Sequence, residues 1–324
     1  MVIEIVKPGL ATTVQDAGRP GYYNVGIPLS GALDQYSFRC ANLLVGNDEN
    51  AAVLECTLLA PELAFDAAAI VAIAGAQATP KLNGAAMPGN QAFAVKAGDR
   101  LSFDFMLLGA RAYIAVAGGI DVPVILGSRS TYGLGAFGGF QGRKLAAGDR
   151  LPVGKPSDKA KAGRKLPADL VAPLPKESEL RVVPGLYFHR ITDASASNFF
   201  ADTWAVAPEA DRIGYRYKQG RPLQWREHKQ PFGAGSDPSN IVDAGYPYGS
   251  VQVPGGVEPI ILHRDAVSGG GYAMLGTVIS ADMDKIAQMQ PNYKVRFVSV
   301  DMDAALAARA EYKARLDRVR GALA

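Results

Sequence analysis

Only three histidines and two cysteines occur in the 324 residues. His189, His228 and His263 are far apart and outside any HExxH or HxH pattern, so no resident transition metal is expected. Cys40 and Cys56 form no CxxC, and the chain reads as cytoplasmic with reduced thiols. Apolar stretches stay short: those around Ala67–Ala76 and Ala112–Gly119 have strand length, below the ~18 residues a membrane helix needs. Met1–Leu10 is interrupted by Glu4 and Lys7 and contains no signal-peptide core. Neither charge sign dominates. With 34 basic and 31 acidic side chains the formal charge is +3, too small a bias to predict nucleic acid or a membrane surface as partner. GxSxG and GxxxxGK[ST] are both missing, which removes the serine-hydrolase elbow and the phosphate loop. Gly133–Gly138 does match GxGxxG, but Gly139, Gly142 and Gly148 follow where a dinucleotide fold needs a long helix, so this stretch reads as a flexible substrate loop.

Glycine and proline, by contrast, are plentiful. Thirty-six glycines and twenty-one prolines make about 18 % of the chain against roughly 12 % in average usage. Helix interiors tolerate neither residue, which favours short strands and tight turns. Strand signals run through the first half: Val2–Val6, Leu63–Phe65, Ile70–Ile73, Gln91–Val95, Arg100–Phe105 and Ala112–Val116, separated by turn residues. The pentapeptide Ala97-Gly-Asp-Arg-Leu101 recurs as Ala147-Gly-Asp-Arg-Leu151, each copy placed to turn into a strand. Four helices are expected. Asp34 caps one running to about Val45, and Asp193 opens one through Phe200. A third starts near Ser280 or Asp282 and stops before Pro291, and the last runs from Asp303 to about Leu323. The fold class is mainly β. Pro156, Pro167, Pro173 and Pro175 among Lys155, Lys159, Lys161, Arg164 and Lys165 read as a solvated linker. Residues 1–155 and 178–324 are therefore expected as two β-rich domains joined by 156–177.

Four glycine-rich polar clusters stand out. They are Thr12–Gly21 continuing to Ser30 and Asp34; Gly118–Pro123 with Gly127–Thr131 and Gly138–Arg143; Asp211–Arg216; and Ser236–Ser239 with Gln252, Asp265, Ser268–Tyr272 and Ser280–Asp282. Glycine lets backbone approach a ligand, while arginine and carboxylate bind or shift charge. The runs TTVQDAGRPGYYNVGIPLSGALD, GGIDVPVILGSRSTYGLGAFGGFQGRKLAAGD, ADRIGYR and GTVISADMDKIAQMQP carry a resemblance. In them the chain is similar to the biotin-dependent carboxyltransferase family, which includes allophanate hydrolase subunit 2, the carboxyltransferase subdomains A and B of urea carboxylase, the C component of 5-oxoprolinase and the KipA regulator. The likeness covers nearly the whole chain. It implies two β-rich lobes, the C-terminal one a cyclophilin-like barrel, with a few short helices and a C-terminal helix.

The resemblance also implies a subunit of an amide-processing enzyme that transfers a carboxyl group from carboxybiotin to a urea-like or amide nitrogen. The alternatives are the C component of an ATP-dependent 5-oxoprolinase and a non-catalytic KipA-like binding protein. The chain has no Met-Lys-Met carrier motif, so carboxybiotin is expected on a separate carrier, with ATP entering only through the complex. The partners implied are an allophanate hydrolase subunit 1-like chain, a biotin carboxylase and a biotin carrier. Such a transfer must neutralise charge on the ureido oxygen and take a proton from the acceptor nitrogen. Asp265, Arg129 and Tyr215 are the candidate catalytic residues. Gln15, Asp16, Arg19, Arg143, Arg212, Arg216, Gln252 and Tyr272 are candidates for substrate binding. Structural roles stand beside these: Gln15 and Asp16 as turn closers, Arg19 as an ion pair, Arg212, Tyr215 and Arg216 as a salt-bridge set, and Tyr272 as core.

Overall fold

Alternation decides the first β-structure. In Val2–Lys7, Ile3 and Ile5 are fully buried while Glu4 faces water, and Glu62–Phe65 repeats the pattern with Leu63 and Phe65. The two strands lie side by side in a six-stranded sheet, in the order Arg150–Pro152, Val2–Lys7, Glu62–Phe65, Arg100–Phe103, Pro80–Leu82, Ala85–Ala86. A five-stranded sheet, Ala11–Gln15, Val53–Thr57, Leu108–Val116, Ala69–Gln77 and Ala92–Val95, supplies the other half of a single apolar core. Leu108–Val116 has lost its alternation and is buried from Gly109 onward. It carries core on one face and helix α1 (Gln35–Leu44) on the other, so both faces are sealed. Asp34 caps α1 by accepting from Ser37 N at 2.8 Å.

The repeated pentapeptide makes one turn twice. Gly98 and Gly148 take φ of +88° and +86°. Asp99 and Asp149 each accept a backbone N–H three residues back, at 2.7 and 2.8 Å. The Gly98 amide then donates to Phe65 O and the Gly148 amide to Ile5 O, each at 2.8 Å, so the two turns close against neighbouring strands of the same sheet.

The second β-structure is a closed seven-stranded barrel: Glu177–Pro184, Met274–Val278, Ser250–Gln252, Ile260–Leu262, Gly214–Lys218, Trp204–Val206 and Lys294–Ser299. Closure comes from the parallel pairing of Lys294–Ser299 with Glu177–Val182. Aromatic rings fill it. Phe297 stacks on Phe199 of α2 (Asp193–Ala201) at 4.7 Å and meets Tyr217 edge-on at 5.8 Å. A short two-stranded ribbon, Asn240–Gly245 with Gly269–Tyr272, stands outside the barrel. Helices α3 (Met283–Ala287) and α4 (Met302–Leu323) complete the chain. No helix is long and apolar enough to cross a membrane.

The computed structural model describes all 324 residues. They divide into two compact units: Met1–Arg19, Ser30–Leu174 and Lys313–Ala324 in the first, Pro20–Leu29 and Pro175–Tyr312 in the second. Three features differ from the expected 1–155, 156–177 and 178–324. Residues 20–29 count with the second unit, α4 is divided at Tyr312/Lys313, and most of the expected linker belongs to the first unit. That segment is anchored because its few apolar and polar groups find partners. Leu166 and Leu170 are buried, Leu166 N donates to Asn90 O at 2.9 Å, and Leu170 O accepts from Tyr36 Oη at 2.6 Å.

Candidate functional site

The glycine-rich clusters assemble into two groups, each within one unit. In the first unit the strand Ala11–Gln15 delivers Gln15 and Asp16 to the loop Ser128–Thr131. Asp16 Oδ1 accepts from Ser128 Oγ at 2.6 Å, from Gly18 N at 2.8 Å and from Ser130 Oγ, while Oδ2 accepts from Arg129 N at 2.6 Å. Gln15 is fully buried, donating to Thr13 Oγ1 and Thr131 O and accepting from Gly31 N at 3.1 Å. Arg19 is 1 % exposed; its Nη2 donates to Ser130 O and its guanidinium lies 4.9 Å from the Phe137 ring centroid. This packing demands glycine. Gly138 has φ +72°, and a Cβ there would strike Ser130 O and come within 2.7 Å of Arg19 Nη2. Arg129 leaves the knot sideways, bridging Asp121 at 2.8 Å and donating to Val122 O.

In the second unit the ends of two neighbouring barrel strands carry the group. Pairing of Gly214 with Leu262 continues beyond both strands: His263 N donates to Ile213 O at 2.8 Å and Asp265 N to Arg212 O at 3.0 Å. This backbone register brings the side chains of Arg212 and Asp265 into a bidentate pair, Nε–Oδ2 2.8 Å and Nη2–Oδ1 3.1 Å, with 18 % and 8 % of each exposed. Asp211 shapes the turn before it by accepting from Ile213 N and Gly214 N. His263 is fully buried and braces the loop: Nδ1 accepts from Arg264 N at 3.0 Å and Nε2 faces Met283 O at 3.4 Å. Those partners suit the neutral Nε2–H tautomer. Tyr248 meets the His263 ring edge-on at 5.3 Å and carries the Arg264 guanidinium 5.8 Å above its own ring. The segment 20–29 contributes Tyr23. Burial pushes its phenol above the ordinary value, the positive charge of Arg264 pulls it down, and Asp265 pushes it up again. Two guanidinium groups and one carboxylate are thereby gathered at the ends of adjoining strands, with the Tyr23 phenol within electrostatic reach.

Residues 25–299 match the family described as carboxyltransferase domain, subdomain A and B. The chain belongs to that family. It is 37 % identical to the C component of 5-oxoprolinase from Escherichia coli over 95 % of this chain and 94 % of that one. It is 36 % identical to the urea amidolyase of Lachancea kluyveri over 93 % of this chain, but spans only 17 % of that much longer protein. Among solved structures, Kluyveromyces lactis urea carboxylase superposes with a TM-score of 0.91 at 34 % identity, covering all of this chain and 30 % of that one. The chain is thus of the carboxyltransferase type found in amide-processing enzymes.

Against that family frame, the remaining candidates scatter. Arg143 sits on the first unit's surface, forked onto Asp149 at 2.7 and 2.9 Å and resting on Phe140. It stabilises the second pentapeptide turn. Arg216 pairs with Glu258 at 3.0 Å, both partly solvated. Gln252 is buried, and Tyr246 Oη accepts from Tyr272 N at 2.7 Å and donates to Tyr272 O at 2.9 Å. Tyr215, expected as a candidate catalytic residue, lies in the barrel core. It is 2 % exposed, its Oη 3.5 Å from Ala287 O and its ring beside His263. In Gly214–Lys218 alternate residues face inward, so Tyr215 and Tyr217 are core and Arg216 is surface. Tyr23, Arg264 and Tyr246 were not among the candidates. The signal for Tyr23 was its place between Gly21 and Gly26 in a family run, and for Arg264 its adjacency to Asp265.

Proposed function

We propose that this chain supplies the carboxyl-transfer site of a cytoplasmic multi-subunit enzyme that carboxylates a urea-like or amide nitrogen. The observation that carries the reading is the Arg212–Asp265 pair with Arg264 and Tyr23 beside it, in a chain of the carboxyltransferase family. Carboxybiotin, presented by a separate carrier, supplies the carboxyl group. The donor set suits it: Arg212 and Arg264 are cations of low exposure that offset negative charge developing on the ureido oxygen. Asp265 keeps a lone pair on each oxygen beyond its bonds to Arg212 and takes the proton from the acceptor nitrogen. Tyr23 supplies a further hydrogen-bond donor, its phenol kept protonated by burial. In the first unit, Gln15, Asp16 and Arg19 hold the Ser128–Thr131 loop, leaving Arg129 as that loop's cationic group. The partners in this reading are an allophanate hydrolase subunit 1-like chain, a biotin carboxylase and a biotin carrier.

A second reading, the C component of an ATP-dependent 5-oxoprolinase, is favoured by the 37 % identity to the Escherichia coli protein over nearly its full length. There ATP would enter through the partner chains, and Arg212 would meet the lactam's carboxylate. The test is to purify the chain with its partners and follow carboxybiotin consumption against a panel of amides. Amide-dependent consumption supports the first reading. Hydrolysis of ATP dependent on 5-oxoproline, with no carboxybiotin consumed, replaces it by the second.

A further inference from the structure

A cavity of about 350 Å³ lies in the second unit, against the outside of the barrel and under the first half of α4. Its wall on the helix is one face, Met302, Ala305, Leu306 and Arg309, spaced three and four apart. The barrel supplies Val278 and Tyr248 among others, and Tyr248 is the same ring that carries Arg264 on its way to the candidate site. Two observations define what fits. Met302 and Leu306 remain 59 % and 53 % exposed, whereas the apolar residues of the later turns, Leu316, Val319 and Leu323, are buried. The lining also holds a single charged group, Arg309, and no carboxylate, and Arg309 forms no ion pair within the chain. Apolar surface left open beside an unneutralised guanidinium calls for a ligand that is apolar along its body and anionic at one end.

We propose that this cavity binds a small carboxylate with an aliphatic tail, the tail against Met302 and Leu306 and the carboxylate on Arg309. The inference is independent of the carboxyl-transfer reading, since its test measures binding and needs no turnover. The probe is octanoate, followed by ligand-observed NMR on the full chain, with octylammonium as the charge-reversed control. For a ligand of this size the dissociation constant should be on the order of 1 mM, with one site per chain. Arg309→Gln should weaken octanoate about fivefold, and Ala305→Trp, which fills the space, should abolish saturable binding. Leu306→Glu, at an exposed position that cannot upset the core, repeats the test by repulsion should the tryptophan variant lose its fold. Octylammonium should bind more weakly than octanoate. Absence of saturable octanoate binding, equal binding by octylammonium, or octanoate affinity untouched by Arg309→Gln and Leu306→Glu would each overturn the proposal.

Discussion

The Asp16 knot and the Arg212–Asp265 pair are built from similar material, glycine-rich loops closing on a carboxylate, yet their chemistry differs. Asp16 is surrounded by neutral donors: two serine hydroxyls and two backbone amides, most of them on a loop more than a hundred residues away in sequence. Its oxygens are taken up by these donors, and its work is to lock Ser128–Thr131 into place. Asp265 is bound by one guanidinium, with a second cation as its sequence neighbour and a phenol within electrostatic reach. A carboxylate met by hydroxyls and amides organises backbone; one set among charged and ionisable groups at a strand end can take part in proton and charge movement. Low exposure alone does not tell the two apart, since Asp16 and Asp265 are 9 % and 7 % exposed.

The sharpest test of that distinction is turnover. Asp265→Asn removes the basic oxygen and one of the bonds to Arg212, so the complex should lose on the order of 10²- to 10⁴-fold in kcat even at temperatures where the variant is fully folded. Tyr23→Phe should cost about tenfold by loss of one hydrogen bond to the reacting group. Asp16→Ala should do the reverse. It strands two hydroxyls and two amides, so chemical denaturation should show a loss of about 3 kcal/mol, and any fall in kcat should track the fraction unfolded. If Asp16→Ala left stability intact and removed turnover, the two carboxylates would have exchanged roles.

The contrast was only partly legible in the sequence. Strands were readable because Ile3, Ile5, Leu63 and Phe65 alternate against a single core, and Asp34 announced its helix by capping chemistry. The barrel came from family resemblance, because strands as short as Trp204–Val206 and Ser250–Gln252 leave no periodicity to detect. Three of the four partners of Asp16 were hidden for a different reason: they lie 112 to 114 residues away, and nothing local in Thr12–Gly21 specifies them. The segment 156–177 reads as solvated because its prolines and lysines outnumber Leu166 and Leu170, yet those two leucines hold it down. The parity of Gly214–Lys218 was in plain view and would have separated Tyr215 from Arg216.

A third carboxylate sharpens the comparison through pH. Asp282 is fully buried, and burial by itself raises its pKa. Arg181, bound at 2.7 and 2.9 Å, and Lys285 at 2.8 Å outweigh that and bring it below its ordinary 3.8. A folded value below the unfolded one means the pair contributes stability that is complete above the unfolded carboxylate's pKa. That contribution is lost as pH falls through the folded value. Urea unfolding at a series of pH values from about 5 downward should show the wild type losing stability more steeply than Asp282→Asn, which has no such proton to gain. Parallel curves would mean that Arg181 and Lys285 stabilise the loop without depending on the charge of Asp282.

The smallest effect is expected at Tyr215. Its hydroxyl sits 3.5 Å from Ala287 O, at the outer limit of hydrogen bonding, inside a barrel core where the ring does the packing. Removing the oxygen in Tyr215→Phe keeps the ring against His263 and gives up the long contact with Ala287 O. Stability should therefore move by less than about 1 kcal/mol, and kcat should stay within a factor of two of wild type, on the order of experimental scatter. The substitution becomes informative beside Tyr23→Phe. A tenfold loss at Tyr23 with none at Tyr215 assigns the reacting phenol to the segment 20–29. The opposite result would mean that the barrel end opens during turnover far enough to expose a residue now sealed, and that the register argument separating inward tyrosines from outward arginines fails for the working enzyme.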